Sequence, residues 1–225
     1  MGKISPMFRV KICGVTNAAD AVAAAAAGAD AVGLNFYARS RRYLDPRRAE
    51  AVAAAVPEGV VRVGLFVNAA PEFIRMLAAR LRLQAIQLHG DETVQQLADL
   101  GDLPLIKAFA CHQRSQPAIA EYLAECRRQG VSLRMILLDA AVPGQFGGTG
   151  RLADWETAAA LAADRSLPPV ILAGGLNAEN VRAAIETVRP AAVDTAGGVE
   201  SAPGIKDHAA MQAFATAAKT ALNSI

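Results

Sequence analysis

Eight times along this chain an apolar run of strand length gives way to a segment of helical periodicity, always in that order. The runs fall at 8–12, 31–36, 60–67, 84–88, 104–109, 133–138, 169–172 and 191–195. Helical segments follow at 17–27, from 46 toward 59, 71–81, up to about 100, 116–129, 152–164, from 177, and 207–222. Gly28 and Gly59 act as stops, Pro46 and Pro71 sit at first-turn positions, and Thr16 or Asn17 and then Asn177 serve as caps. Strands joined through helices need crossover connections and so pair in parallel. Eight such units in 225 residues predict an α/β fold, a (β/α)8 TIM barrel forming a single domain over 1–225. The rival is an open doubly wound sheet, which usually carries G-x-G-x-x-G after its first strand; Cys13-Gly14-Val15-Thr16 is not that turn.

Composition narrows the function. Hydrophobic residues make up 53% and aromatics only 5%, with abundant alanine, which suits closely packed helices rather than a β-sandwich. A formal charge of +2, from 23 basic and 21 acidic residues, does not advertise a nucleic-acid partner. Only Arg39, Arg41 and Arg42 concentrate positive charge, and three arginines suit one small anion. The three cysteines are scattered, which argues against a disulfide framework or a zinc site and for a reducing, cytoplasmic setting. The N-terminus does not read as a signal peptide, and the longest apolar run, 21–28, is too short to cross a bilayer. The expected partner is therefore a small molecule, with neither membrane nor metal involved.

In a barrel of this type the carboxyl ends of the strands build the site. The first strand ends on Cys13, before a glycine and a helix cap, a setting for either a reactive thiol or a small buried apolar residue. Cys111 is a rival thiol just past the fifth strand, and Cys126 reads as structural. Side chains alternate along a strand, so if Cys13 faces the barrel axis, Lys11 does too. A lysine there needs a counter-charge such as Asp194, and is expected to lower the Cys13 pKa. Asp139 closes the apolar sixth strand; partial desolvation would suit it to general acid work, the alternative being a turn cap. If it faces inward, so do Leu137 and Met135. His89, after the fourth strand, is a candidate substrate-binding residue or a hydrogen-bonded structural histidine. Asp194 is a candidate substrate ligand or an internal ion-pair partner.

Glycine pairs follow strands seven and eight. Gly174, Gly175, Ala196, Gly197 and Gly198 are the candidate phosphate-binding residues, with a short extra helix expected over 199–202. Gly147-Gly148-Thr149-Gly150 lacks the lysine of a P-loop and is expected to form a mobile lid beside Asp139. Arg41 and Arg42 read either as ordinary solvated charges or, in a loop at the same face, as offering one arginine to clamp a carboxylate in two-point fashion.

Together these residues resemble the phosphoribosylanthranilate isomerase family of tryptophan biosynthesis. The resemblance is carried by 11–16 (KICGVT), 40–43 (SRRY), 64–68 (GLFVN), 87–92 (QLHGDE), 137–139 (LLD) and 147–150 (GGTG). It continues through 154–155 (DW), 172–177 (LAGGLN) and 198–207 (GVESAPGIKD). It implies a cofactor-free Amadori rearrangement of N-(5-phosphoribosyl)anthranilate by a monomer or homodimer. It implies that Cys13 is the general base at the sugar C2, Asp139 the general acid at the ring oxygen, and Arg42 the anchor of the anthranilate carboxylate. It places the phosphate at the glycine-rich strand ends. One departure stands out: the family usually carries serines where this chain has Ala196 and Gly197, so hydroxyl contacts to phosphate are lost while backbone N–H donors remain. Other phosphosugar barrels, and a phospholigand-binding barrel without turnover, are the alternatives.

Overall fold

The computed structural model describes residues 5–140 and 153–225. The elements run β1 (Val10–Cys13), α1 (Ala18–Ala26), β2 (Ala31–Asn35), α2 (Pro46–Ala54), β3 (Val61–Phe66), α3 (Pro71–Leu81), β4 (Ala85–Leu88) and α4 (Val94–Ala98). They continue β5 (Leu105–Cys111), α5 (Ser115–Arg128), β6 (Leu133–Ala140), α6 (Trp155–Ala163), β7 (Val170–Leu172), α7 (Val181–Val188) and β8 (Ala192–Thr195). After β8 come a 3₁₀ turn (Gly197–Val199), a small antiparallel hairpin of β9 (Glu200–Ala202) and β10 (Ile205–Lys206), and then α8 (His208–Leu222). The eight long strands pair in sequence order and β8 closes on β1, with Lys11 opposite Asp194, so the sheet is a closed parallel barrel. Among the described residues, no helix is long and apolar enough to cross a membrane.

The caps work as the side chains require. Asn17 accepts from the Asp20 N–H and opens α1; Asp45 accepts from Arg47 N–H ahead of Pro46. Asn177 accepts from the N–H groups of Glu179 and Asn180, but this makes a turn, and α7 starts only at Val181. Helix α4 is shorter than the apolar pattern suggests, ending at Ala98. The short helix expected over 199–202 is a correction. Its place is taken by the 3₁₀ turn and β9, because Gly204 at φ +84° folds the chain back and Glu200 pairs with Lys206 on the returning strand.

Strand alternation divides the core in two. Val10, Ile12, Ile136 and Leu138 face the helices, meeting residues such as Leu77, Ile185 and Phe214. Ala31, Val63, Ala85, Ile106, Met135, Leu137 and Ile171 fill the barrel, with Phe8 beside them. Each fully buried large side chain contributes roughly 1.5–3 kcal/mol relative to exposure. The β5–β6 register shifts so that Leu105 opposes Leu133 but Ile106 opposes Met135. Arg134 is thereby extruded to solvent, and beyond it Met135, Leu137 and Asp139 share the inner face.

Candidate active site

Cys13 sits at the carboxyl end of β1 and is 5% exposed. Its neighbour across the ladder is Gly33 on β2, and any Cβ built there would lie 2.5 Å from the Cys13 sulfur. The missing side chain is what makes room for the thiol. Two residues below, Lys11 is fully buried and its Nζ lies 2.7 Å from Asp194 Oδ1. Burial alone would lower the Lys11 pKa, but the Asp194 carboxylate and the Cys13 sulfur outweigh it, and the pKa is raised. For Asp194, burial is the larger influence and raises the pKa, while the Lys11 ammonium at 2.7 Å works against it in favour of the carboxylate. Lys11 and Asp194 thus meet inside the barrel, in the ion-pair arrangement.

Desolvation raises the Cys13 pKa; Lys11 acts in the expected direction and lowers it, as does Lys206, but burial prevails and the net shift is upward. Cys111 is no rival at this mouth: it belongs to the helix-facing core, lies 3.5 Å from the Asp154 carbonyl, and burial pushes its thiol up to about 12. Cys126 is buried in the same outer core.

Asp139 lies near the end of β6, three strands from β1 in one direction and five in the other around the closed ring. Its Oδ1 accepts from the Ala140 N–H at 2.8 Å, and its Oδ2 lies 3.3 Å from His89 Nε2. His89 in turn is 2.9 Å from Gln87 Nε2 through its Nδ1. The turn carrying His89 is held from outside the barrel: Glu92 accepts from the N–H groups of Asn68 and Gly90, and Lys107 donates to Glu92 and the Gly90 carbonyl.

Arg42 lies over Gly14, and its Nε and Nη2 engage both oxygens of Glu200 at 2.7 and 2.8 Å. The hydrogen-bonded Glu200 raises the Arg42 pKa further. Lys206, with a fully buried side chain, donates to Glu200 at 3.0 Å and to the Ala196 carbonyl at 2.8 Å. Burial lowers the Lys206 pKa against the pull of Glu200, while Arg42 and Lys206 overcome burial to lower that of Glu200. Glu200, Lys206 and Gln87 were missed from sequence. Inward parity with His89 would have found Gln87; nothing local to Glu200 reveals its partner on a distant loop.

The glycine-rich ends of β7 and β8 are adjacent. Gly174 has φ +83°, and a Cβ there would lie 2.7 Å from Ala140 N, so only glycine fits beside Asp139. A Cβ on Gly198 would lie 1.9 Å from the Leu176 carbonyl oxygen. The N–H groups of Gly174, Gly175 and Ala196 donate to no acceptor among the described residues. A Cβ on Gly197 would lie 3.1 Å from Arg42 Nη2, which joins this corner to the arginine. The expected lid, 147–150, lies outside the described residues. Among the described residues, no group of three or more His, Cys, Asp and Glu is arranged to hold a metal ion.

A thiol, a carboxyl group with its histidine, an arginine and unpaired backbone donors gathered at the carboxyl ends of eight parallel strands define a TIM-barrel enzyme. Residues 10–217 match the family model for N-(5'phosphoribosyl)anthranilate (PRA) isomerase. The chain belongs to that family. Its similarity to N-(5'-phosphoribosyl)anthranilate isomerase of Geobacter sulfurreducens is 46% identity over 213 residues, covering 95% of this chain and 99% of the relative. With the Acidithiobacillus ferrooxidans enzyme it is 47% over 211 residues, 93% of this chain and 96% of the relative. Its fold is similar to the crystal structure of phosphoribosyl anthranilate isomerase from Thermotoga maritima, with a TM-score of 0.82, 40% identity and coverage of 95% and 100%. A further solved isomerase, in complex with reduced 1-(o-carboxyphenylamino)-1-deoxyribulose 5-phosphate, superposes with a TM-score of 0.79 at 39% identity, covering 95% of this chain and all of that one.

Proposed function

We propose that this enzyme converts N-(5'-phosphoribosyl)anthranilate to 1-(o-carboxyphenylamino)-1-deoxyribulose 5-phosphate by an Amadori rearrangement in tryptophan biosynthesis, in the cytoplasm, as a monomer or homodimer. Asp139 gives its proton to the furanose ring oxygen as the C1–O bond breaks, leaving a protonated Schiff base between C1 and the aryl nitrogen. The Cys13 thiolate removes the C2 proton, giving the enolamine. Protonation at C1 and loss of the C2 hydroxyl proton then give the ketone. Each positioned acid or base contributes about 10²–10⁴-fold.

The observation that carries this reading is the placement of the Cys13 sulfur and the Asp139 carboxyl on inward-facing positions at one mouth, on strands well apart around the ring. A sugar lying between them would meet an acid on one side and a base on the other. Arg42 is proposed to bind the anthranilate carboxylate while Glu200 keeps its guanidinium in plane. The N–H groups of Gly174, Gly175 and Ala196, which have no acceptor among the described residues, with the turn at Gly197 and Gly198, are proposed to take the phosphate. Anchors at both ends would hold the reacting carbons in register. Asp194 acts through Lys11, whose ammonium favours the Cys13 thiolate.

The test is a steady-state assay following the loss of substrate fluorescence. Wild type should turn substrate over, and Cys13→Ala and Asp139→Asn should each lose at least about 10²-fold in kcat with the fold intact. Near wild-type turnover in both variants would refute the assigned roles.

A further inference from the structure

Among the described residues, Gln87 is a feature of the barrel interior that its packing does not explain. It is fully buried, with Leu65 and Ile106 opposite it on the neighbouring strands, where an apolar side chain would be expected. Its Oε1 has no hydrogen-bond partner among the described residues. An unpaired buried acceptor costs about 1–3 kcal/mol, so the residue is destabilising where it stands. Its only side-chain contact of consequence is upward along the same face of β4, from Nε2 to His89 Nδ1 at 2.9 Å.

That contact sets the histidine tautomer. With the amide oriented so that its nitrogen faces the ring, Nδ1 accepts, and in the neutral ring the proton then resides on Nε2. Nε2 is the atom that lies 3.3 Å from Asp139 Oδ2. His89 directly follows β4 and Asp139 lies on β6; on the intervening strand the residues above Ile106 on the same face are the small Ala108 and Ala110, and Ala110 is opposite Asp139 in the ladder.

We propose that Gln87 and His89 are positioning residues for Asp139. Gln87 locks His89 as the neutral Nε2–H tautomer, and His89 aims that N–H at the carboxylate that forms when Asp139 gives up its proton. No proton leaves the histidine. The only transfer is from Asp139 to the sugar ring oxygen, and the fixed donor stabilises the charge left behind. The proposal rests on Asp139 acting as the general acid. It accounts for the orphaned Oε1: an apolar residue would repair the core but free the tautomer, and a glutamate would favour the charged ring in place of the neutral one.

The test combines spectroscopy on wild type with three variants. With ¹⁵N-labelled histidine at neutral pH, one of the three histidines should show a protonated Nε2 and an unprotonated Nδ1 as a fixed tautomer. The signal is assigned by its loss in His89→Gln. Gln87→Leu, which offers Nδ1 no partner and so frees the tautomer, should lower kcat by about tenfold while KM changes little, as expected when one charge-assisted hydrogen bond is weakened. His89→Gln, whose amide N–H reaches the same place, should retain clearly more kcat than His89→Met. A protonated Nδ1 or freely exchanging tautomers in wild type would overturn the proposal without any variant having to fold. So would equal kcat in Gln87→Leu and wild type, or in the two His89 variants. Wild type inactive on the substrate would sink the isomerase reading and this proposal with it, whereas an active wild type with unaltered variants sinks the positioning role alone.

Discussion

Replacing Asp194 with asparagine keeps the shape of the side chain but leaves the Lys11 ammonium without a counter-charge. The ammonium has no route to water, since Lys11 is fully buried beneath Cys13. At 2.7 Å the pair attracts with roughly 6 kcal/mol at an effective dielectric of about 20. Desolvating the two ions costs several kcal/mol each, so the intact pair contributes little net stability. Removing one partner is different, because the desolvation remains while the attraction is lost. Asp194→Asn and Lys11→Met should therefore each destabilise by about 3–5 kcal/mol, a large part of the roughly 5–15 kcal/mol of a typical domain. The double variant should recover most of that loss, because a methionine stem packs well in the barrel. Urea unfolding followed by circular dichroism gives all three values, and the double-mutant cycle isolates the coupling. Single variants within about 1 kcal/mol of wild type, or a double variant as unstable as the sum of the singles, would refute the picture of a dehydrated pair.

Burial raises the Cys13 pKa above the ordinary thiol value, and the proposed base is the thiolate. The profile of kcat/KM should therefore still climb at about pH 9, and a plateau below about pH 8 would contradict it. Gly33→Ala places a Cβ against the Cys13 sulfur; it should lower kcat sharply and cost about 1–3 kcal/mol of stability, both read from one preparation. Glu200→Gln releases the two-point hold on Arg42 and removes the charge partner of Lys206, so KM should rise about tenfold or more; an unchanged KM would show that Arg42 needs no such support.

Much of the barrel was legible because local chemistry repeats. Prolines at 46 and 71 open α2 and α3 where expected, and Asn17 and Asp45 cap their helices through their own side chains. Period-two alternation correctly sent Lys11, Met135 and Leu137 to the inside and Val10 and Ile12 to the outside. The segment after β8 differs from the expected helix because the turn at Pro203-Gly204 does not say whether the chain before it coils or extends. The pairing of Glu200 with Lys206 and Arg42 decides that, and Arg42 arrives from a loop 158 residues away in sequence.

Residue order alone determined the eightfold alternation and the face each strand residue presents, because both depend on backbone geometry within a few residues. Only the closed barrel decided the electrostatics. Whether Lys11 or the loss of water governs the Cys13 thiol depends on how many low-dielectric neighbours surround it, and those come from strands at both ends of the chain. The same holds for the tautomer of His89, which depends on an amide two residues back and a carboxyl group two strands away.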